Sequence, residues 1–124
     1  VSHHNRSAFS YRPSGLTGGT RGGYAEQVLM EEWAPMAIPD GVSDESAALC
    51  EPCAIAVHAV GISDLKVGDS VAVLGAGPIG LLCMQVARAA GAGKVFVSEL
   101  APARREAARS LGADAVINPA RRGI

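Results

Sequence analysis

The sequence has 124 residues, 48% of them hydrophobic and 19% charged, with a formal net charge of −1. Such a balance allows one domain with a buried core and excludes a disordered chain; the lack of a basic run excludes a nucleic-acid or anionic-membrane partner. No apolar stretch reaches the roughly 18 residues of a membrane span, no signal-peptide pattern follows Val1, and three cysteines, an odd count, argue against a secreted disulfide framework, so a cytoplasmic location is expected.

Residues 1–23 are polar and glycine-rich without periodicity, which predicts a loop. YAEQVLM then alternates loosely into EEWAPMAIPDG, a short extended pair closed by a turn at Pro39 to Gly41. Ser43 suits a helix N-cap, with Asp44 and Glu45 in the first turn of a short helix that ends near Leu49. Pro52 suits the first position of a second helix, Cys53 to Val60, with Gly61 as its stop.

From Lys66 the pattern sharpens. VAVL, Val71 to Leu74, reads as a fully buried strand. GAGPIG leads into an apolar helix that Gly91 and Gly93 break. KVFVS, Lys94 to Ser98, is the second strand, Pro102 to Leu111 a more charged helix, and Ala115 to Ile117 a third strand. Strand, helix, strand, helix, strand at this spacing predicts right-handed crossovers and a parallel sheet, half of a doubly wound α/β fold.

The chemistry-bearing stretch is the glycine loop. Gly75, Gly77 and Gly80 follow a strand directly and open a helix, a context that lifts G-x-G-x-x-G above a chance match. Gly75 permits the tight turn, Gly77 lets the backbone approach a pyrophosphate, and Gly80 lets helix and strand pack closely. The helix start around Pro78, Ile79 and Gly80 would face the phosphates. Glu99 stands at the end of the second strand, where an acid can accept hydrogen bonds from the ribose hydroxyls and repel a 2′-phosphate. NAD is therefore the expected cofactor. A generic turn with a solvated glutamate is the plain alternative.

GGYAE, E-P-x-x-I-A-V-H-A, K-V-G-D-S-V-A-V-L-G-A-G-P-I-G and A-R-S-L-G-A-D-A-V occur in this order. With them the chain resembles the zinc-dependent medium-chain alcohol and polyol dehydrogenases, in particular the sorbitol, threonine and butanediol dehydrogenase branch. The resemblance runs from about Gly15 to Asn118. It implies the first half of a Rossmann-type parallel sheet, preceded by the end of a GroES-like, β-rich catalytic segment. Residues 1–52 would belong to that segment, and residues 53–124 to a crossing helix and the start of the NAD-binding domain. It also implies a small-molecule alcohol substrate, a catalytic Zn2+ whose other ligands lie before Val1, and a homo-oligomer when full-length. Both ends of the chain are expected to be cut points, and the isolated chain is expected to be inactive. Many relatives carry a four-cysteine zinc lobe before the GLTG-like loop; residues 1–14 have no cysteine, only His3 and His4, to which no metal is assigned.

The stretch C-E-P-C admits several readings. A redox pair would place Cys50 at a helix N-terminus, but the surrounding pattern is not that of a thioredoxin-like fold. A zinc half-site would need a second cysteine pair, and Cys83 stands alone in an apolar helix. Buried, inert cysteines are expected. Glu51 reads either as an acid favoured by the helix dipole or, by the resemblance, as a group that binds the catalytic zinc directly or holds its water. Arg104 is expected to stack on the adenine, as the matching arginine does in relatives, or to be a solvated helix-face residue. His58 suits the end of its helix and receives no catalytic role. Two rival functions remain: a zinc-free NADPH quinone or enoyl reductase, and a non-catalytic nucleotide-binding fragment.

Overall fold

The computed structural model of the protein describes residues 25–27, 32 and 35–120. The loop expected over residues 1–23, the histidines His3 and His4, and most of the extended pair lie outside the described residues. Pro35 to Pro39 joins no strand among the described residues and leads into a turn at Asp40 and Gly41, where Gly41 takes φ +86°.

From Asp40 onward the chain forms one compact unit. Helix α1 spans Asp44–Ala48, and the Ser43 side chain accepts a hydrogen bond from the Ser46 N–H at its start, as the cap pattern predicts. Helix α2 spans Cys50–Gly61, three residues earlier than expected. Leu49 is itself in the right-handed helical region (φ −81°, ψ −7°), so one helix passes almost directly into the next. Pro52 is tolerated in the third position because the first N–H groups of a helix have no intrahelical acceptor in any case.

The sheet is parallel, in the order β1-β2-β3, with β1 at Ser70–Leu74, β2 at Lys94–Ser98 and β3 at Ala115–Ile117. Helix α3, Pro78–Ala89, connects the first two strands and α4, Pro102–Ser110, the last two. Register sets Val71 beside Val95 and Val73 beside Val97, with Val116 next in line. This face packs on Met84 and Ala87 of α3 and Ala108 of α4, while Val60 and Leu65 close the rim. Met84, Val95 and Val97 are the largest fully buried side chains. Each contributes about 1.5–3 kcal/mol by leaving water.

The opposite face corrects one expectation. Strand β1 is not buried on both sides: Ala72 is exposed and Leu74 is 85% exposed, as is Ile117 at 55%. The helices reach the sheet core through the valine face, so alternation along the pleat leaves the other residues outward among the described residues.

Near the end of α3, Arg88 binds two returning connections together, the one from α3 to β2 and the one from α4 to β3. Its guanidinium donates to the carbonyls of Gly93 and Gly112, both at 3.1 Å, and to the Asp114 carboxylate. Asp114 also accepts the Val95 N–H at 2.7 Å. The Val95 amide foremost, then Arg88, holds the Asp114 carboxyl below the usual carboxylate range.

Met84→Ala is expected to cost about 2–5 kcal/mol, because it opens a cavity under the valine face. Leu74→Ala, on the exposed face, is expected to cost under about 1 kcal/mol. Urea unfolding of both variants checks the contrast.

Candidate functional site

The junction of β1 and α3 forms the site. Gly75 leaves the strand with φ +98°, a conformation that side chains strain, and its N–H donates to the Ser98 carbonyl at 2.8 Å. Gly77 is the N-cap of α3, in ordinary extended conformation (φ −72°, ψ 179°), and no side chain caps the helix. Pro78 occupies the first helical position and has no N–H to offer. Ile79 and Gly80 therefore present the first free backbone donors at the positive end of the helix dipole.

The three glycines have different reasons. A Cβ on Gly80 would lie 2.0 Å from the Gly75 carbonyl oxygen and 3.5 Å from Val73, so helix and strand meet too closely for any side chain. A Cβ on Gly77 would meet nothing within 4 Å. Nothing in the described protein requires that glycine; the open space beside it suits a ligand's close approach, as the motif predicts.

Glu99, one residue past β2, is 9% exposed and sits directly against this loop. Its Oε2 accepts the Ala76 N–H at 2.8 Å, and its Oε1 accepts the Ala101 N–H at 2.8 Å. Those two amides, Ala101 first and Ala76 second, hold the carboxyl below its ordinary value, and the charge of Arg104 adds to them. Glu99 is thus an anion stabilised by backbone donors, and each oxygen keeps acceptor capacity for a further partner.

The two arginines divide their work. Arg105 is half-buried and donates to the backbone carbonyls of Glu99 (3.2 Å) and Leu100. Arg104 is exposed, with its guanidinium free to meet a ligand or solvent. The commitment of Arg105 to backbone was not signalled by the sequence, where two adjacent arginines look alike.

Glu51 lies in the first turn of α2, exposed, rather than ahead of the helix. The cysteines depart from the expectation of burial. Cys50, the first residue of α2, is exposed, whereas Cys53 and Cys83 are half-buried; all three are free. The early start of α2 puts Cys50 on the surface of its first turn. Among the described residues no three His, Cys, Asp or Glu side chains converge on a possible metal position. A lone exposed carboxylate is a competent oxygen ligand for zinc but does not make a site. An apolar groove of about 260 Å³ runs between the end of α2, β1 and α3, lined in part by Val60, Leu65 and Cys83. It offers no donor set for phosphate.

Comparison with known proteins accords with this geometry. Residues 78–123 match the family described as zinc-binding dehydrogenase. The (R,R)-butanediol dehydrogenase of Bacillus subtilis (strain 168) is 45% identical over 107 residues, covering 86% of this chain and 30% of that protein. The chain thus spans about 30% of the length of such a curated relative. A solved structure from Sinorhizobium meliloti 1021, assigned as a zinc-binding dehydrogenase and bound to NADP, is 41% identical with a TM-score of 0.75, covering 81% of this chain and 29% of that one. An alcohol dehydrogenase of Escherichia coli CFT073 complexed with NADH is 34% identical with a TM-score of 0.77, covering 82% and 30%.

Two outcomes follow from the loop geometry. Gly80→Ala is expected to destabilise the protein by about 1–3 kcal/mol, since backbone must move to admit the methyl, whereas Gly77→Ala should change stability by less than about 1 kcal/mol. Thermal melts decide between them. Acid supplies the second outcome. A carboxylate whose pKa is lowered on folding adds stability that is complete above its unfolded value and is lost as pH falls through the folded one. With Glu99 and Asp114 both lowered, stability should hold from neutrality down to about pH 5 and decline below about pH 4. Urea midpoints across that range should show a shallower decline in Glu99→Gln.

Proposed function

Because the chain belongs to the zinc-binding dehydrogenases, we propose that it carries the dinucleotide-binding half-sheet of an oxidoreductase that moves hydride between NAD and a secondary alcohol, a polyol or amino-alcohol. The observation that carries this reading is the glycine loop with a buried, ionised Glu99 against it. In this assignment residues 53–124 serve the cofactor, and residues 1–52 belong with the catalytic segment.

The pyrophosphate would lie at the start of α3, on the Ile79 and Gly80 donors, in the space left open by Gly77. The remaining acceptor capacity of Glu99 would take the adenosine ribose hydroxyls. Arg104, exposed next to this point, would cover the adenine. Glu51 would join the catalytic zinc shell, directly or through water, with the other ligands supplied from outside the described residues. Zinc bound there would supply Lewis acidity toward the alcohol oxygen. A cytoplasmic homo-oligomer is part of the same proposal.

NAD is favoured over NADP because Glu99 is charged and largely removed from water. A 2′-phosphate would face it at short range, where like charges repel strongly. The zinc-free NADPH reductases are disfavoured on the same ground. NAD should bind at least about tenfold more tightly than NADP by calorimetry; equal affinities would remove Glu99 from the selection of cofactor. In the full-length protein, Glu51→Ala is expected to lower turnover by a factor of about 10–100 or more, with NAD affinity little changed. Normal turnover with only a lower melting point would leave Glu51 a first-turn acid and nothing more.

A further inference from the structure

The stretch Gly75-Ala76-Gly77 has little of its own to hold it in shape. Two of its residues are glycines, which lose the most freedom on ordering, and Gly77 has no neighbour within 4 Å of where a Cβ would stand. The tie at Gly75 is its N–H on the Ser98 carbonyl, 2.8 Å away. The tie at Ala76 is its N–H on Glu99 Oε2, also 2.8 Å away. Ala76 is itself 1% exposed, so water is no ready substitute for that acceptor.

The carboxylate is in turn fixed from behind. Its other oxygen accepts the Ala101 N–H, the Glu99 N–H donates to the Ile117 carbonyl at 3.0 Å, and Arg105 holds the Glu99 carbonyl. Glu99 is therefore anchored to the entry of α4 and to the end of β3, and it reaches from there to the glycine loop.

We infer that Glu99 is a positioning residue for the pyrophosphate loop: by holding the Ala76 N–H it fixes the loop for its ligand whether or not a ribose is present. This rests on the reading of the loop as a pyrophosphate site and goes beyond ribose recognition. Phosphate affinity and ribose selectivity then share one carboxylate. Removing it should therefore cost affinity through the loop as well as selectivity at the ribose, so that NAD weakens more than NADP and NADP does not simply take its place.

The test uses ADP and 2′,3′-dideoxy-ADP, which keeps the diphosphate but lacks both ribose hydroxyls. Each is titrated calorimetrically into the unmodified protein and into Glu99→Ala. The Kd for dideoxy-ADP should rise roughly three- to tenfold in the variant, and that for ADP by more. Loss of a negative charge near an anionic ligand works in the opposite direction, so this is a demanding outcome. Unchanged or tighter dideoxy-ADP binding with weakened ADP would overturn the positioning role and leave ribose recognition standing. Equal weakening of both ligands would support positioning and sink the ribose reading.

A second measurement needs no variant and no ligand. In the unmodified protein, the Ala76 amide proton resonance should shift as Glu99 takes up a proton, at a pH below the ordinary glutamate range. An Ala76 resonance that ignores this titration would overturn the inference even if Glu99→Ala failed to fold. Absence of ADP binding by the unmodified protein would instead count against the pyrophosphate reading, and the Ala76 resonance would then decide only whether Glu99 holds that N–H.

Discussion

Helix α3 starts so close to the end of β1 that the Gly80 backbone lies almost against the Gly75 carbonyl. That closeness sets the rest of the junction. It requires a residue without a side chain at position 80 and a left-handed turn at position 75, and it aims the helix N-terminus back over the strand ends. A longer connection would have left room for side chains but would have lost the fixed direction of the helix dipole. The position of Glu99 matters only because the loop it faces is this tight.

The junction also carries an electrostatic tension. A helix N-terminus with unpaired amides favours an anion, yet a permanent anion, Glu99, is already buried beside it. The protein resolves this by giving the carboxylate its own backbone donors at Ala76 and Ala101, separate from those at Ile79 and Gly80. A buried charge is costly unless so paired. Paired in this way, it is locally balanced and leaves the helix end free for a different anion.

Much of this was legible in the sequence because the relevant signals are local. The strand at Lys94–Ser98, the strand at Ala115–Ile117, the cap at Ser43 and the glycine spacing all follow from a few adjacent residues. What was not legible depends on partners. VAVL reads the same whether one face or both are covered, and only packing reveals that Leu74 points outward. Leu49 gives no sign that it will continue a helical path, so α2 begins earlier than Pro52 suggests and brings Cys50 to the surface. Glu99 was evident as an acid at the end of a strand, but its bond to Ala76 joins residues 23 apart in sequence. Arg105 and Arg104 look alike in the sequence, because nothing local marks an arginine that will hold backbone carbonyls.

The strand order β1-β2-β3 has a consequence for how the chain acquires its shape. Each strand pairs with the one nearest to it in sequence, and α3 and α4 cover the same valine face as they pass. Among the described residues no pairing waits for a distant segment, so the entropy of closing long loops is small at each of these steps. The Arg88 contacts then join connections that have already met. During synthesis the glycine loop could thus assemble as soon as β2 and the turn carrying Glu99 have emerged, with β1 serving as the template for β2 and β2 in turn for β3.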